Sequence, residues 1–460
     1  MTTLRLTVAA DCLLENMPLE LEKILKGQLT IDNPKYIAAR RYGRWVGKKL
    51  KPQLKYYEQL PEGLRFPRGF SNQAVLLCRE HLGESPEIID KRRKLTEVDF
   101  RFFGRLRPYQ QKAVEAVGAR SFGVLEAGTG SGKTIMAIAL IASRRQPSLV
   151  IVHTKELLYQ WRDRLRQFLR CEPGLVGDGN FHLAEVTVAI VNSARKRVEE
   201  LGPRFGQLVV DECHRVPAAL FTDVVSGFDS QYLLGLSATA FRSDEGMTRL
   251  IHFYMGDPVY KVDQGELTAT GAIVRPQLVL HRTDFDYGYR GDYQALLTAL
   301  TAHQGRNTQI LQDIAAAAEE EGVILVVSDR VSHCRIFEES LAKRGFRTAL
   351  LTGQTATEKR AAIVDEVHRG DVQILIATLQ LIGEGFDCPG LSTLFLTTPI
   401  SFEGRLMQVI GRIMRPAENK HPRVYDYLDH KVSALRKSAN LRHKTLRKIL
   451  EPTVIGDYRS

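Results

Sequence analysis

The stretch Phe122-Gly123-Val124-Leu125-Glu126-Ala127-Gly128-Thr129-Gly130-Ser131-Gly132-Lys133-Thr134 decides the fold. Its first five residues form a compact apolar run, as expected of a strand buried on both faces of a sheet. Ala127 to Gly132 are too rich in glycine to prolong a strand or a helix. From Lys133 to Ser143 the chain turns apolar again, at a length that suits a helix. A strand entering a helix through such a loop turns backbone N–H groups inward on an anion. The helix N-terminus adds positive potential at the same point. Gly128, Thr129, Gly130, Ser131 and Gly132 are therefore the expected cradle for the phosphates of a nucleotide. Lys133 is placed to reach the β- and γ-phosphates, and the Thr134 hydroxyl to ligate Mg²⁺.

The same alternation continues outward. Leu149–His153, Val186–Val191, Leu208–Val210 and Tyr232–Ser237 are further compact apolar runs, with a helical stretch at Lys155–Leu169. After residue 283 the pattern restarts: Val323–Ser328, Thr348–Leu351, Ile374–Ala377 and Thr393–Thr397 read as strands. Ser332–Arg344 and Thr357–Arg369 read as helices. Two successive βα arrays imply two doubly wound parallel-sheet domains with a cleft between them. The first hundred residues differ, mixing short extended stretches (Leu4–Ala10, Gln53–Tyr57) with a helical one (Asn72–Leu82). The expected organisation is α/β: a small mixed α+β module at 1–103, then lobes at 104–282 and 283–460, the last ending in a basic helix at Leu435–Leu450.

A second chemical feature stands at Asp211-Glu212-Cys213-His214, where the run Leu208–Val210 ends. The carboxyl end of a strand is where an α/β sheet places its ligands. Two adjacent carboxylates there divide the labour. Asp211 would hold Mg²⁺, directly or through water, and Glu212 would orient and deprotonate an attacking water. Arg412 and Arg415, in Gln408-Val409-Ile410-Gly411-Arg412-Ile413-Met414-Arg415, lie three apart and would share one face of a helix. A guanidinium supplied across the cleft stabilises charge on a departing γ-phosphoryl group and can contribute ~10³–10⁵ in rate.

Together these residues resemble the superfamily 2 helicases, over nearly everything from Arg107 to about Asp429. The resemblance implies tandem RecA-like lobes and ATP as cofactor with Mg²⁺. By motif position, Arg107 and Gln110 in Arg107-Pro108-Tyr109-Gln110 would contact adenine. Ala127–Thr134 and Asp211–His214 are similar to motifs I and II. Ser237-Ala238-Thr239 is similar to motif III, so that His214, Ser237 and Thr239 would couple the ATP site to the nucleic acid. Thr378 and Gly383–Asp387 are similar to motif V, placing Gly385 and Asp387 at the nucleotide. The segment from Gln408 is similar to motif VI, making Gln408, Arg412 and Arg415 catalytic alongside Lys133, Asp211 and Glu212. The likeness is nearest to the branch of the XPB-like and phage UvsW-like DNA helicases. Phe241-Arg242-Ser243-Asp244 resembles an XPB segment whose acidic residue Ser243 replaces. The long XPB thumb insertion is not evident between Thr283 and Val323. Ile31–Tyr36 and Phe66–Gly69 resemble the N-terminal module of these proteins.

The likeness implies a strand of nucleic acid held mainly through its phosphates. The expected contacts are Thr154, Lys155, Asn192, Ser193 and Arg242 in the first lobe, and Ser328, Thr352, Gly353 and Thr378 in the second. Trp161 and Phe241 could stack on bases, but Trp161, in a helical run, reads first as core. The charge distribution agrees with a polyanionic partner. The formal net charge is +11, and it sits at the ends: residues 1–105 carry 20 basic and 13 acidic side chains, and residues 402–460 carry 13 and 6.

These features lead to the expectation of an ATP-dependent DNA helicase or translocase. It would move 3′ to 5′ on single-stranded, forked or branched DNA in repair, recombination or fork processing. An RNA helicase and the motor subunit of a restriction or phage-defence nuclease assembly are the alternatives; no clustered nuclease signature is visible in the chain. The six cysteines form no C-x-x-C pair and read as reduced thiols. The longest apolar run, Ile135–Ala142, is far short of a membrane span. A cytoplasmic monomer is expected, nucleoid-associated if the source is prokaryotic.

Overall fold

The computed structural model describes all residues except 1–2, 42–49, 129, 215–217, 239–244, 321, 383–389, 401–402, 418–419 and 456–460. The chain divides into two compact units. The first is Met1–Gly128 with Gly132–Val262, and the second is Asp263–Ser460 with Thr129–Ser131.

The first unit opens with a five-stranded sheet. Strands β1 (Arg5–Val8), β2 (Asp11–Glu15), β3 (Glu58–Gln59), β4 (Gly63–Pro67) and β5 (Glu87–Asp90) lie in the order β3-β4-β2-β1-β5. All neighbours are antiparallel except β1 and β5. In β1 and β2 half-buried and buried residues alternate, the period-2 pattern of a sheet with one packed face. That face is covered by helices α1 (Leu19–Gln28) and α2 (Ser71–Leu82), through Leu21, Leu25, Ala74 and Cys78.

The second part of this unit is an eight-stranded sheet. Helix α3 (Pro108–Gly118) leads into β6 (Phe122–Glu126), α4 (Lys133–Arg144), β7 (Ser148–Val152) and α5 (Lys155–Leu169). Then come β8 (Gly174–Gly177), β9 (Asn180–His182), β10 (Val186–Ile190), β11 (Gln207–Val210) and β12 (Tyr232–Ser237). Helix α6 (Glu245–Met255) and strand β13 (Pro258–Lys261) close the unit. The strand order is β9-β8-β10-β7-β11-β12-β6-β13, parallel throughout except at edge strand β9. Every residue of β7 and β11 is buried, which is why these strands read as unbroken apolar runs rather than as alternations.

The N-terminal sheet is not an independent appendage. Its core contains Phe253 of α6, whose ring meets Tyr56 and Phe70 at 5.6 Å each. The backbones touch at Gly69, where a Cβ would lie 2.3 Å from the Gly256 nitrogen and 2.5 Å from the His252 carbonyl oxygen. The fully buried Arg68 guanidinium donates to the carbonyls of Ser230 (2.7 Å) and Ala9 (3.3 Å). Arg93 binds Asp229 through two hydrogen bonds of 2.8 and 2.9 Å. The weak sequence likeness at Phe66–Gly69 thus falls on the segment that docks the module.

The second unit is a seven-stranded, wholly parallel sheet. It comprises β14 (Gln277–Arg282), α7 (Gln304–Ala317), β15 (Val323–Ser328), α8 (Val331–Lys343), β16 (Thr348–Leu351) and β17 (Ile374–Thr378). It continues through β18 (Leu391–Leu396), α9 (Glu403–Ile413), β19 (Arg423–Leu428), α10 (Ser433–Ile449) and β20 (Glu451–Ile455). The order is β16-β17-β15-β18-β19-β14-β20. The expected lobe boundary after residue 282 therefore moves. Strand β14 pairs with β19 and β20, so the second unit begins at Asp263. Apolar periodicity reveals a strand but not which sheet it joins. Among the described residues, no helix is long and apolar enough to cross a membrane.

Candidate functional site

The phosphate loop leaves β6, the strand beside edge strand β13, and enters α4, a twelve-residue helix with an apolar face buried from Met136 to Ala142. Gly130 and Gly132 hold φ of 85° and 79°, the left-handed region that side chains resist. Gly132 is doubly constrained, since a Cβ there would sit 2.5 Å from Gln110 Nε2. Gln110 is buried on the first turn of α3, where its Oε1 accepts the Arg107 backbone N–H at 2.9 Å. The sequence places Arg107 and Gln110 some twenty residues before the loop; the fold lays Gln110 against it. Ser131 is buried, and Gly128 and Thr134 are half-buried.

Lys133 Nζ donates to the Ala127 carbonyl at 2.9 Å and lies 3.4 Å from Glu212 Oε1. Glu212 follows the end of β11 with φ of 46°, uncommon for a residue with a side chain and typical of strained functional turns. Its N–H donates to Asp211 Oδ1 at 2.9 Å. Asp211 Oδ2 accepts the Trp161 indole N–H at 2.8 Å. Burial, and secondly the charge of Glu212, push the Asp211 carboxyl up to about 6; Trp161 and Lys133 oppose the rise. Glu212 Oε2 is 3.3 Å from His214 Nδ1, and His214 Nδ1 is 2.8 Å from Ser237 Oγ at the end of β12. A continuous polar chain therefore runs Lys133, Glu212, His214, Ser237 across the carboxyl ends of β11 and β12.

Other expected residues gather along strand ends. Strands β7 and β10 are neighbours in register, Val152 opposite Ile190, so Thr154 and Lys155 lie beside Asn192 and Ser193. Asn192 is exposed, and Lys155 and Ser193 are half-buried. Thr154 serves first as the cap of α5, its hydroxyl accepting the Leu157 N–H. In the second unit, Ser328 and Thr378 end adjacent strands as direct partners, and Thr352 follows the next strand over. Their hydroxyls face inward more than motif position suggests. Ser328 is buried against His333 Nδ1 at 3.0 Å and accepts the Arg330 N–H. Thr352 is buried and accepts the Gln354 N–H, and Thr378 is buried. Gly353 is exposed.

Gln408 is buried on α9, and its Oε1 has no hydrogen-bond partner among the described residues. Arg412, half-buried, stands in the last turn of α9. The expectation that Arg415 shares a helical face with Arg412 is corrected: α9 ends at Ile413, and Arg415 lies beyond it. Thr129, Thr239, Phe241, Arg242, Gly385 and Asp387 lie outside the described residues.

Two family models match this chain. Residues 103–242 match the model described as Type III restriction enzyme, res subunit, and residues 306–417 match the helicase conserved C-terminal domain. The DNA 3′-5′ translocase XPB2 of Sulfurisphaera tokodaii is 25% identical over 419 residues, 81% of this chain and 91% of its own. The probable helicase D10 of Escherichia phage T5 is 28% identical over 323 residues, 69% of this chain and 70% of its own. The chain is a superfamily 2 helicase, near the XPB-like branch. A solved structure of similar fold is the ATP-dependent Type ISP restriction-modification enzyme LlaBIII bound to DNA. It has a TM-score of 0.56 and 14% identity, over 75% of this chain and 30% of that one.

In this helicase the residue that motif reading passed over is Trp161. It was expected in the core, and it is buried, yet its indole N–H holds Asp211. The signal was present: a buried indole must find an acceptor, and α5 packs on β7, the strand beside the one that leads into Asp211.

Proposed function

We propose that the protein is an ATP-dependent DNA helicase or translocase that moves 3′ to 5′ with Mg²⁺ and acts on single-stranded, forked or branched DNA. Repair, recombination or fork processing is the corresponding role, carried out in the cytoplasm by a monomer. The observation that carries the reading is the polar chain from Lys133 through Glu212 and His214 to Ser237. It joins a phosphate-binding lysine to the strand-end residues that precede the nucleic-acid motifs. The DNA substrate and the polarity are those by which the XPB2 translocase is named.

The residues fit a magnesium nucleotide. Gly130 and Gly132 turn the loop through left-handed backbone into the N-terminus of α4, the arrangement that presents N–H groups to an anion. Thr134 and Asp211 would hold the cation, whose charge neutralises the phosphate oxygens. Lys133 leaves the Ala127 carbonyl for the β- and γ-phosphates. Glu212, freed of Lys133, orients the attacking water and accepts its proton. His214 and Ser237 relay the change toward the nucleic-acid residues. Arg412 and Arg415 are the proposed source of positive charge for the γ-phosphoryl group.

The deciding experiment compares ATPase stimulation by single-stranded DNA, duplex DNA and RNA. Stimulation by DNA is expected; stimulation by RNA alone overturns the reading. The Type III restriction description of the matched family favours one second reading, a motor that serves a nuclease partner. Copurification with a nuclease supports it.

A further inference from the structure

The orientation of helix α10 is set by one residue outside it, Asp426 on β19. This buried carboxylate within β19 accepts two hydrogen bonds of 3.0 Å from Arg442 and one contact of 2.8 Å from His443. Arg442 and Asp426 are both nearly inaccessible, and the arginine beside it holds the Asp426 carboxyl below its ordinary value despite burial. Leu435, Ala439, Leu446 and Thr445 are buried on the same side. The rotation of the helix is thus fixed.

That rotation turns Arg436, Lys437, Lys444 and Arg447 outward; all four are exposed. At 100° per residue they fall within an arc of about 100°, and they span about 16 Å along the axis. Helix α10 contains no Asp or Glu. None of the four cations is paired with a carboxylate among the described residues. Such a row of like charges destabilises an isolated helix and is held here by the Asp426 anchor.

We infer that this face of α10 is a docking surface for the phosphate backbone of duplex DNA, additional to the strand-end residues described above. A B-form duplex carries one phosphate per strand every ~3.4 Å of axis, so a 16 Å row of cations spans about four or five of them. Protein–protein interfaces are depleted of lysine and built around an apolar or aromatic centre. This face has two lysines and no aromatic residue. A straight, rigid row suits the regular edge of a duplex better than a flexible single strand. The inference rests on the proposed DNA substrate.

The test uses the full chain with Arg436, Lys437, Lys444 and Arg447 all changed to Ala. Binding of a fluorescent 30-base-pair duplex and of a fluorescent single strand is followed by anisotropy over a series of salt concentrations. The variant is expected to bind duplex at least ~10-fold more weakly, with the log–log salt slope shallower by about 3 to 4. Its single-strand affinity and DNA-independent ATPase stay near those of the wild type. Swapping charges in kind (Arg436→Lys, Lys437→Arg, Lys444→Arg, Arg447→Lys) should retain duplex binding. An unchanged duplex affinity and slope overturns the inference, as does a loss confined to single strands or a loss shared by the charge-preserving variant. A wild-type protein that binds no DNA at all refutes the proposed substrate instead.

Discussion

Glu212 and Lys133 hold each other at 3.4 Å, and their roles separate when each is changed alone. Glu212→Gln keeps the phosphate loop and is expected to bind ATP while turnover falls ~10²–10⁴-fold. Lys133→Ala is expected to lose nucleotide affinity as well. Equilibrium binding of a fluorescent ATP analogue beside steady-state ATPase rates distinguishes them, and near-normal turnover by Glu212→Gln removes Glu212 as the base. Trp161 acts through Asp211. In Trp161→Phe the ring volume is largely kept and the N–H is lost, leaving Asp211 Oδ2 without its donor. The Mg²⁺ concentration for half-maximal ATPase should rise ~10-fold or more, as when a metal ligand loses its orienting partner. Nucleotide binding without Mg²⁺ should not change. An unshifted Mg²⁺ requirement reduces Trp161 to packing alone.

Helix α8 is tied to its sheet by a buried histidine. His333 Nε2 lies 3.0 Å from Asn307 Oδ1 on α7, and His333 Nδ1 lies 3.0 Å from Ser328 Oγ at the end of β15. Burial, then the neighbouring Arg306 charge, lowers its pKa to about 3. The folded protein therefore holds this ring neutral while the unfolded chain protonates it near 6.5. Between those values the unfolded state binds more protons, so stability is full above pH 6.5 and declines as pH falls toward 3. The slope approaches about 1.4 kcal/mol per pH unit. Urea unfolding at pH 7 and pH 5 measures it. His333→Gln should be less stable at pH 7 and lose less between the two pH values; an equal loss in both proteins places the acid sensitivity elsewhere. The element matters to the site because Ser328 is one of the expected nucleic-acid contacts, and its hydroxyl is already committed to His333.

At the scale of the molecule, the N-terminal module and the first α/β sheet share a core. Phe253 of α6 belongs to the cluster that includes Leu6, Leu14, Leu25 and Phe70. Phe253→Ala should cost about 3–5 kcal/mol, at the high end for a core residue because two structures lose packing together. A chain beginning at residue 104 would expose Phe253, Tyr254 and the backbone now covered by Gly69. It should aggregate or unfold at lower temperature than the full chain, as size-exclusion chromatography and thermal melts would show. A truncated chain as soluble and heat-resistant as the full one contradicts a shared core.

Much was legible in the chain alone, and for one reason: the chemistry of a phosphate loop and the apolarity of buried parallel strands are local. Phe122–Glu126, Tyr232–Ser237 and Val323–Ser328 are strands at the residues expected, and Lys155–Leu169 is a helix at its expected bounds. Tertiary structure alone decided what depends on residues far apart in sequence. It assigned β14 to the sheet of the second unit, since pairing partners are chosen by the sheet and not by the strand. It ended α9 before Arg415, turned the Trp161 indole onto Asp211, and spent the hydroxyls of Thr154 and Ser328 on caps and a buried histidine. It also fixed the outward face of α10 through Asp426, sixteen residues before Arg442. Side-chain hydrogen bonds and helix rotation are set by what lies across the core, and no periodicity along the chain records it.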